Sequence, residues 1–257
     1  MIVRNWREIQ PWLFEGDAED WRIFSQIGKK EKADYMPIYN RTAVCLKTIL
    51  YLSYARLHPG GAYVAHANID EGQQSEEIYC FINGHGTVRW GENDIRKVST
   101  GDIFYTPGGQ IHHLINDGDE WIDFIAWGAD VTEEEIRQGV VKNWRTSHPV
   151  LWHGWGIRWR ILDKIGNNPK DGSIPCQRIL NYADYCWLQG ESSCEPHAFQ
   201  GEEAVFFIIS GKGVIRIGAE KEKIRNGDSI YIPPDTDYQL INDHEEPIQL
   251  YAFGAHV

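Results

Sequence analysis

Apolar and polar positions alternate along this chain in short runs that break every few residues at Gly, Pro, Asn or Asp. In the first half the β-rich runs fall at 43–57, 62–67, 77–82, 86–90, 103–106, 112–115 and 121–127. Turn signals separate them: Pro59-Gly60-Gly61, Asn83-Gly84, Gly91-Glu92-Asn93, Thr100-Gly101-Asp102, Pro107-Gly108-Gly109 and Asn116-Asp117-Gly118. The second half repeats the scheme at 177–188, 204–209, 214–217, 229–232, 238–241 and 248–253. Evenly spaced short strands with frequent turns predict an all-β sandwich or barrel. The long helical periods of βαβ units are absent.

The two halves are copies of one unit. NWREIQPWLFEGDAEDWRIFSQIG, from Asn5, aligns without a gap on NWRTSHPVLWHGWGIRWRILDKIG, from Asn143, at an offset of 138. NDGDEWIDFIAWGA, from Asn116, returns as NDHEEPIQLYAFGA, from Asn242, at an offset of 126. Two matches in the same order, bracketing the same kind of segment, mean internal duplication. The repeat predicts a first domain over 1–130, a linker over 131–142 and a second domain over 143–257. Thr132-Glu133-Glu134-Glu135 reads as a capping box, which predicts a short linker helix with Ile136, Val140 and Val141 as its apolar positions.

Composition narrows the partners. A formal net charge of −12 repels phosphate backbones, and no Lys/Arg cluster offsets it, so nucleic acid is not an expected partner. No apolar run approaches the ~20 residues that span a bilayer, and the N-terminus lacks the pattern of a signal peptide. A cytoplasmic protein without a membrane partner is expected. The five cysteines form no C-x-x-C pair and are odd in number, so they read as reduced, mostly buried thiols.

Several segments resemble the cupin superfamily. Its second motif runs Gly, five residues, Pro, one residue, Gly, two residues, His, three residues, Asn. Gly101, Pro107, Gly109, His112 and Asn116 fit every defined position. The first motif runs Gly, five residues, His, one residue, His, three or four residues, Glu, six residues, Gly. Gly60, His66, Glu77 and Gly84 supply its start and end. The second His is replaced by Asn68, or by Gln73 when the count runs back from Glu77, and the stretch before Glu77 is longer than the pattern. The resemblance implies two tandem cupin barrels of the jelly-roll, or double-stranded β-helix, kind, hence a bicupin, and it leaves the reaction open.

It also implies a divalent metal on His66, Glu77 and His112. Strand alternation supports the set, because Glu77, Tyr79 and Phe81 share one face, as do His112 and Leu114. A carboxylate inside a barrel needs a compensating cation. Two His and one carboxylate resemble the facial triad of non-haem Fe(II) oxygenases, so Fe(II) is favoured, with Mn, Ni or Zn as alternatives. The expected function is a metal-dependent enzyme acting on a small polar substrate, foremost by dioxygenation. A non-redox isomerase, epimerase or lyase and a non-catalytic binding protein are the alternatives. Tyr79 and Tyr105 are candidate catalytic residues; Asn68, Gln73 and Arg56 are candidate substrate contacts. A homodimer is compatible with the family.

The second copy keeps Gly227, Pro233 and Asn242 of the second motif, but Tyr238 replaces the ligand His and Asp235 the turn Gly. Of the first motif it keeps His197, with Phe199 at the second His and Ala204 at the carboxylate. Glu203 could recover that role only through a bulge. This copy is expected to bind no metal and to serve as scaffold. The segment WHGWGIRWR, Trp152 to Arg160, reads as core packing with Arg stacked on indole rather than as a ligand surface.

Overall fold

The computed structural model describes residues 1–14, 18–28, 42–70, 72–91, 93–132 and 139–257. Among them the structure is almost entirely β, with two short 3-10 turns at Trp6–Glu8 and Trp144–Thr146 and no α-helix. Contacts divide the chain into two compact units, Ile9–Asn143 and Met1–Glu8 with Trp144–Val257.

The first unit has two sheets. The larger runs, neighbour to neighbour, through Val140–Asn143, Asp102–Thr106, Gln73–Asn83, Ile122–Val131, Ile49–Leu57, Ala18–Gln26 and Trp12–Phe14, with Ala43–Leu46 and Ile69–Asp70 attached at the side. The smaller runs through Asp94–Ser99, His85–Trp90, His112–Ile115 and Ala62–His66. Strand alternation turns one face of each sheet inward. The interior core gathers Leu57, Tyr63, Tyr79, Phe81, Trp90, Phe104, Leu114 and Phe124. The second unit repeats this with an eight-stranded and a four-stranded sheet. Its core includes Trp152, Cys186, Phe206, Ile230, Tyr238 and Leu250. The jelly-roll expectation therefore holds for both copies.

The motif residues act as turn devices. Gly84 has φ +85, and a Cβ there would lie 2.5 Å from the Trp121 carbonyl oxygen; Gly211 has φ +85, and a Cβ there would lie 2.5 Å from that of Pro247. Only glycine fits both the left-handed backbone and the close approach. Asn116 donates to the carbonyls of Leu57 and Glu120 and accepts from the Gly118 amide. Asn242 does the same with Gln189, Glu246 and His244. The five cysteines are buried free thiols.

The structure redraws the domain limits. Met1–Glu8 belongs to the unit of the second copy, because Ile2–Asn5 pairs with Asp228–Ile232. Val140–Asn143, at the equivalent place before the second copy, pairs with Asp102–Thr106 of the first unit. The matching residues seal the two ladders, Asn5 donating to Asp228 at 2.6 Å and Asn143 to Asp102 at 2.8 Å. Thus each copy's opening strand completes the sheet of the other copy. Val140 and Val141, assigned above to the linker helix, are strand residues: their β-branched side chains suit an edge ladder. Residues 133–138, with the rest of that helix assignment, lie outside the described residues. The sequence reading also passed over Asp94–Ser99 and Glu220–Arg225. Both are exposed hairpin arms with one buried apolar residue each, Val98 and Ile224, too few to register as a period-two pattern.

Candidate metal centre

Three strands deliver the expected ligands. His66 ends Ala62–His66, His112 begins His112–Ile115, and the two are direct partners in that ladder. Glu77 lies on Gln73–Asn83, opposite Thr106. Their nearest ligand atoms all fall within 4.8 Å of one another. His66 Nδ1 sits 2.8 Å from the Val64 carbonyl oxygen and His112 Nδ1 3.0 Å from that of Gln110. Such bonds fix the rings and leave each Nε2 for another partner. Glu77 is 7% exposed and His112 2%.

The donor set fits a divalent cation. Glu77 Oε2 accepts from Asn68 Nδ2 at 2.7 Å and from the Tyr79 hydroxyl at 2.5 Å, and lies 3.4 Å from His112 Nε2. These contacts orient the carboxylate but supply no permanent positive charge. Burial, then the neighbouring His112, pushes His66 down to about 4. A neutral imidazole beside a buried carboxylate is the state in which His binds metal.

Tyr79 stands at the centre of the site. Its hydroxyl lies 3.0 Å from His112 Nε2 as well as against Glu77, and burial followed by the Glu77 charge raises its pKa well above the ordinary phenol value. Asn68, two residues after His66, serves the carboxylate through its amide.

Three other expected residues lie elsewhere. Gln73 is exposed and donates to the Val131 carbonyl, so it does not fill the vacant ligand position. Tyr105 pairs with Ile78 and its hydroxyl donates to Glu76, on the face of the sheet opposite Glu77. Arg56 also points away from the interior face that carries Ala55 and Leu57. It forms a two-point ion pair with Asp123 at 2.7 and 3.4 Å and sits over the Trp121 ring.

One interior group escaped the sequence reading. Asp20 lies opposite Ala55 and is 4% exposed. It accepts from Trp12 Nε1 at 2.9 Å and from Ser53 Oγ at 3.0 Å, while Arg22 Nε donates to Ser53 Oγ at 2.9 Å. Burial raises the Asp20 pKa against the pull of Arg22. The Arg22 guanidinium rests over the Tyr51 ring at 4.2 Å. The only hint in the sequence was the repeat itself, where Trp21 and Arg22 return unchanged while Asp20 becomes Arg158.

The second unit has no such centre. Tyr238 pairs with His197 where His112 pairs with His66. Ala204 faces Gly254 where Glu77 faces Gly128, and the ladder is regular there. Glu203 therefore points to the opposite face, and no bulge returns it. Phe199 stacks on Tyr238 with 5.2 Å between centroids and an interplanar angle of 9°.

Comparison with known proteins agrees with this fold. The sequence model of the cupin domain matches residues 53–128 and 185–254. An uncharacterized protein of Methanocaldococcus jannaschii is 32% identical over 54 residues, which cover 21% of this chain. The match spans 43% of that relative's length. Among solved structures, oxalate decarboxylase of Bacillus subtilis, described with Mn(II) centres, covers 100% of this chain and 77% of its own, at TM-score 0.70 and 14% identity. A glyoxylate-induced protein of Pseudomonas aeruginosa covers 99% of this chain and 87% of its own, at TM-score 0.71 and 13% identity. At such identities these structures show the fold alone. No helix among the described residues is long and apolar enough to cross a membrane.

Proposed function

The chain belongs to the cupin domain family, and on that premise we propose that its first barrel is the active site of a divalent-metal-dependent enzyme acting on a small polar metabolite, with Fe(II) and a dioxygenase-type reaction as the leading chemistry. The observation that supports this reading is the convergence of His66, Glu77 and His112 within 4.8 Å, with Asn68 in place of a third imidazole. Three protein ligands leave coordination positions for substrate and O₂, whereas a fourth strong ligand would take one of them.

Bound there, a divalent ion supplies Lewis acidity and, as Fe(II), electron transfer to O₂. The protein groups do the rest. His66 and His112 hold their rings through backbone carbonyls. Asn68 fixes one oxygen of Glu77. The Tyr79 hydroxyl, held protonated, donates to Glu77 beside His112 Nε2 and keeps the carboxylate oriented. Phe104, Phe124 and Tyr63 pack around Tyr79 and keep water from its flanks. In a dioxygenation both atoms of O₂ enter the organic product, so no separate reductant is required.

A Lewis-acid reaction without O₂ is the second reading, favoured by the protonated Tyr79 hydroxyl at the site. Oxygen uptake separates the two. Protein reconstituted with Fe(II) should consume O₂ in step with a substrate from a panel of small acids and aromatics, and Glu77→Ala should abolish the uptake. Full turnover without O₂, equal with Zn or Mn, would replace the first reading by the second.

A further inference from the structure

The second barrel has lost the metal ligands, yet its interior is not filled. A cavity of about 480 Å³ opens beside the Phe199–Tyr238 stack. That lies within the usual size range of small-molecule sites. Arg158, Arg160 and Lys164 line it together with the carboxyl groups of Asp184 and Glu202. Arg158 and Arg160 are therefore cavity residues, not the indole-stacking residues expected from the sequence.

The polar groups of this wall are unequally satisfied. Arg160 forms a two-point ion pair with Asp184 at 3.0 and 3.3 Å and sits over the Tyr182 ring at 4.9 Å. Arg158 reaches the same carboxylate only at 3.7 Å, and its Nε has no hydrogen-bond partner. The Tyr182 hydroxyl and Glu202 Oε1 are buried and likewise lack partners. Tyr182 is only 6% exposed. Unsatisfied buried polar groups of this kind cost about 1–3 kcal/mol each. Three of them around one cavity mark a missing partner rather than a packing defect.

We propose that the second barrel is a binding site for a small organic monocarboxylate with a flat or apolar body, its carboxylate held by Arg158 and a second polar group by Tyr182 and Glu202. Charge and shape select that class. Asp184 and Glu202 in the same wall disfavour a dianion such as phosphate. Phe199, backed by Tyr238, and His153, stacked on His197 at 4.0 Å, line the cavity with flat rings for the body of the ligand. The site requires no metal and is independent of the reaction at the first barrel.

The test is isothermal titration of the full-length protein with benzoate and 4-hydroxybenzoate, with inorganic phosphate as comparison. The two carboxylates should bind, and phosphate should be weaker by about tenfold or more. Arg158→Gln should weaken the carboxylates by about tenfold or more, the usual weight of a charged hydrogen bond. Tyr182→Phe, which keeps the ring and its packing, should weaken 4-hydroxybenzoate several-fold, and it decides the matter if Arg158→Gln fails to fold. His112→Ala, which removes a ligand of the first barrel, should leave both carboxylate affinities unchanged. The proposal is overturned if neither carboxylate binds, if phosphate binds as tightly, if Tyr182→Phe leaves the 4-hydroxybenzoate affinity unchanged, or if His112→Ala and not Arg158→Gln removes binding. This last result would place the ligand at the metal centre.

Discussion

The two barrels share a scaffold and differ at a handful of interior positions. His112, Glu77, Tyr79, Asn68 and Thr106 in the first correspond to Tyr238, Ala204, Phe206, Phe199 and Ile232 in the second, while His66 survives as His197. Gly84 and Gly101 return as Gly211 and Gly227, the motif asparagines and the ladder registers are common to both, and Asp235, with φ 55, stands where the first barrel has Gly109. The fold is thus carried by backbone pairing and by residues that set turns, and these tolerate a complete change of chemistry inside. Where the first barrel places a carboxylate that needs a cation, the second places a stacked aromatic pair that needs none. The difference continues up the wall: Asp20 and Ser53 in one correspond to Arg158 and Asp184 in the other, beneath an Arg–Tyr pair kept in both.

The contrast can be broken most forcefully by restoring one group without the others. Ala204→Glu places a carboxylate among Phe199, Phe206 and Tyr238, and this should cost about 3 kcal/mol or more, as buried unpaired charges do. Urea denaturation measures it; an unchanged midpoint would mean that the second barrel still accommodates an ion.

Next in size is a pair of substitutions that should not distinguish the barrels. Asn116→Ala and Asn242→Ala each remove bonds to backbone groups at equivalent turns. Each should lower metal-free stability by about 2 kcal/mol, through the same mechanism. No loss for Asn116→Ala without metal, with a loss that appears only once a divalent ion is added, would show that this motif position serves the metal rather than the turn.

The smallest effect is a pH slope. Burial, then the neighbouring His197, holds His153 of the second barrel down to about 4. The native state therefore favours neutral imidazole. Its contribution is complete above the ordinary His value of about 6.5 and is lost as pH falls from there towards 4. His153 has φ 45, a conformation Asn tolerates, so His153→Asn should reduce the slope of thermal stability of the metal-free protein across that window, leaving the part due to His66. An unaltered slope would remove His153 from the account.

Much of this was legible in the sequence, for reasons that can be stated. His112 and Glu77 are spaced by turns that only certain residues can make, and Tyr79 follows from strand alternation. Tyr105 misled because closeness to a ligand in sequence is not closeness across a pleated strand: one step along the backbone reverses the face. Arg56 failed for the same reason, its neighbours Ala55 and Leu57 holding the interior face. Asp20 was missed because its strand lies outside the motifs. The exchange of opening strands was hidden because pairing between distant segments leaves no local period, although Ile2–Asn5 and Val140–Asn143 lie at the repeat offset.

The central claim is that one barrel binds a cation and the other does not, and metal content measures it directly. Elemental analysis of protein purified without chelators should find one divalent ion per chain. His112→Ala should lose it, and Tyr238→Phe should keep it. Two ions per chain, or a full complement in His112→Ala, would contradict the account.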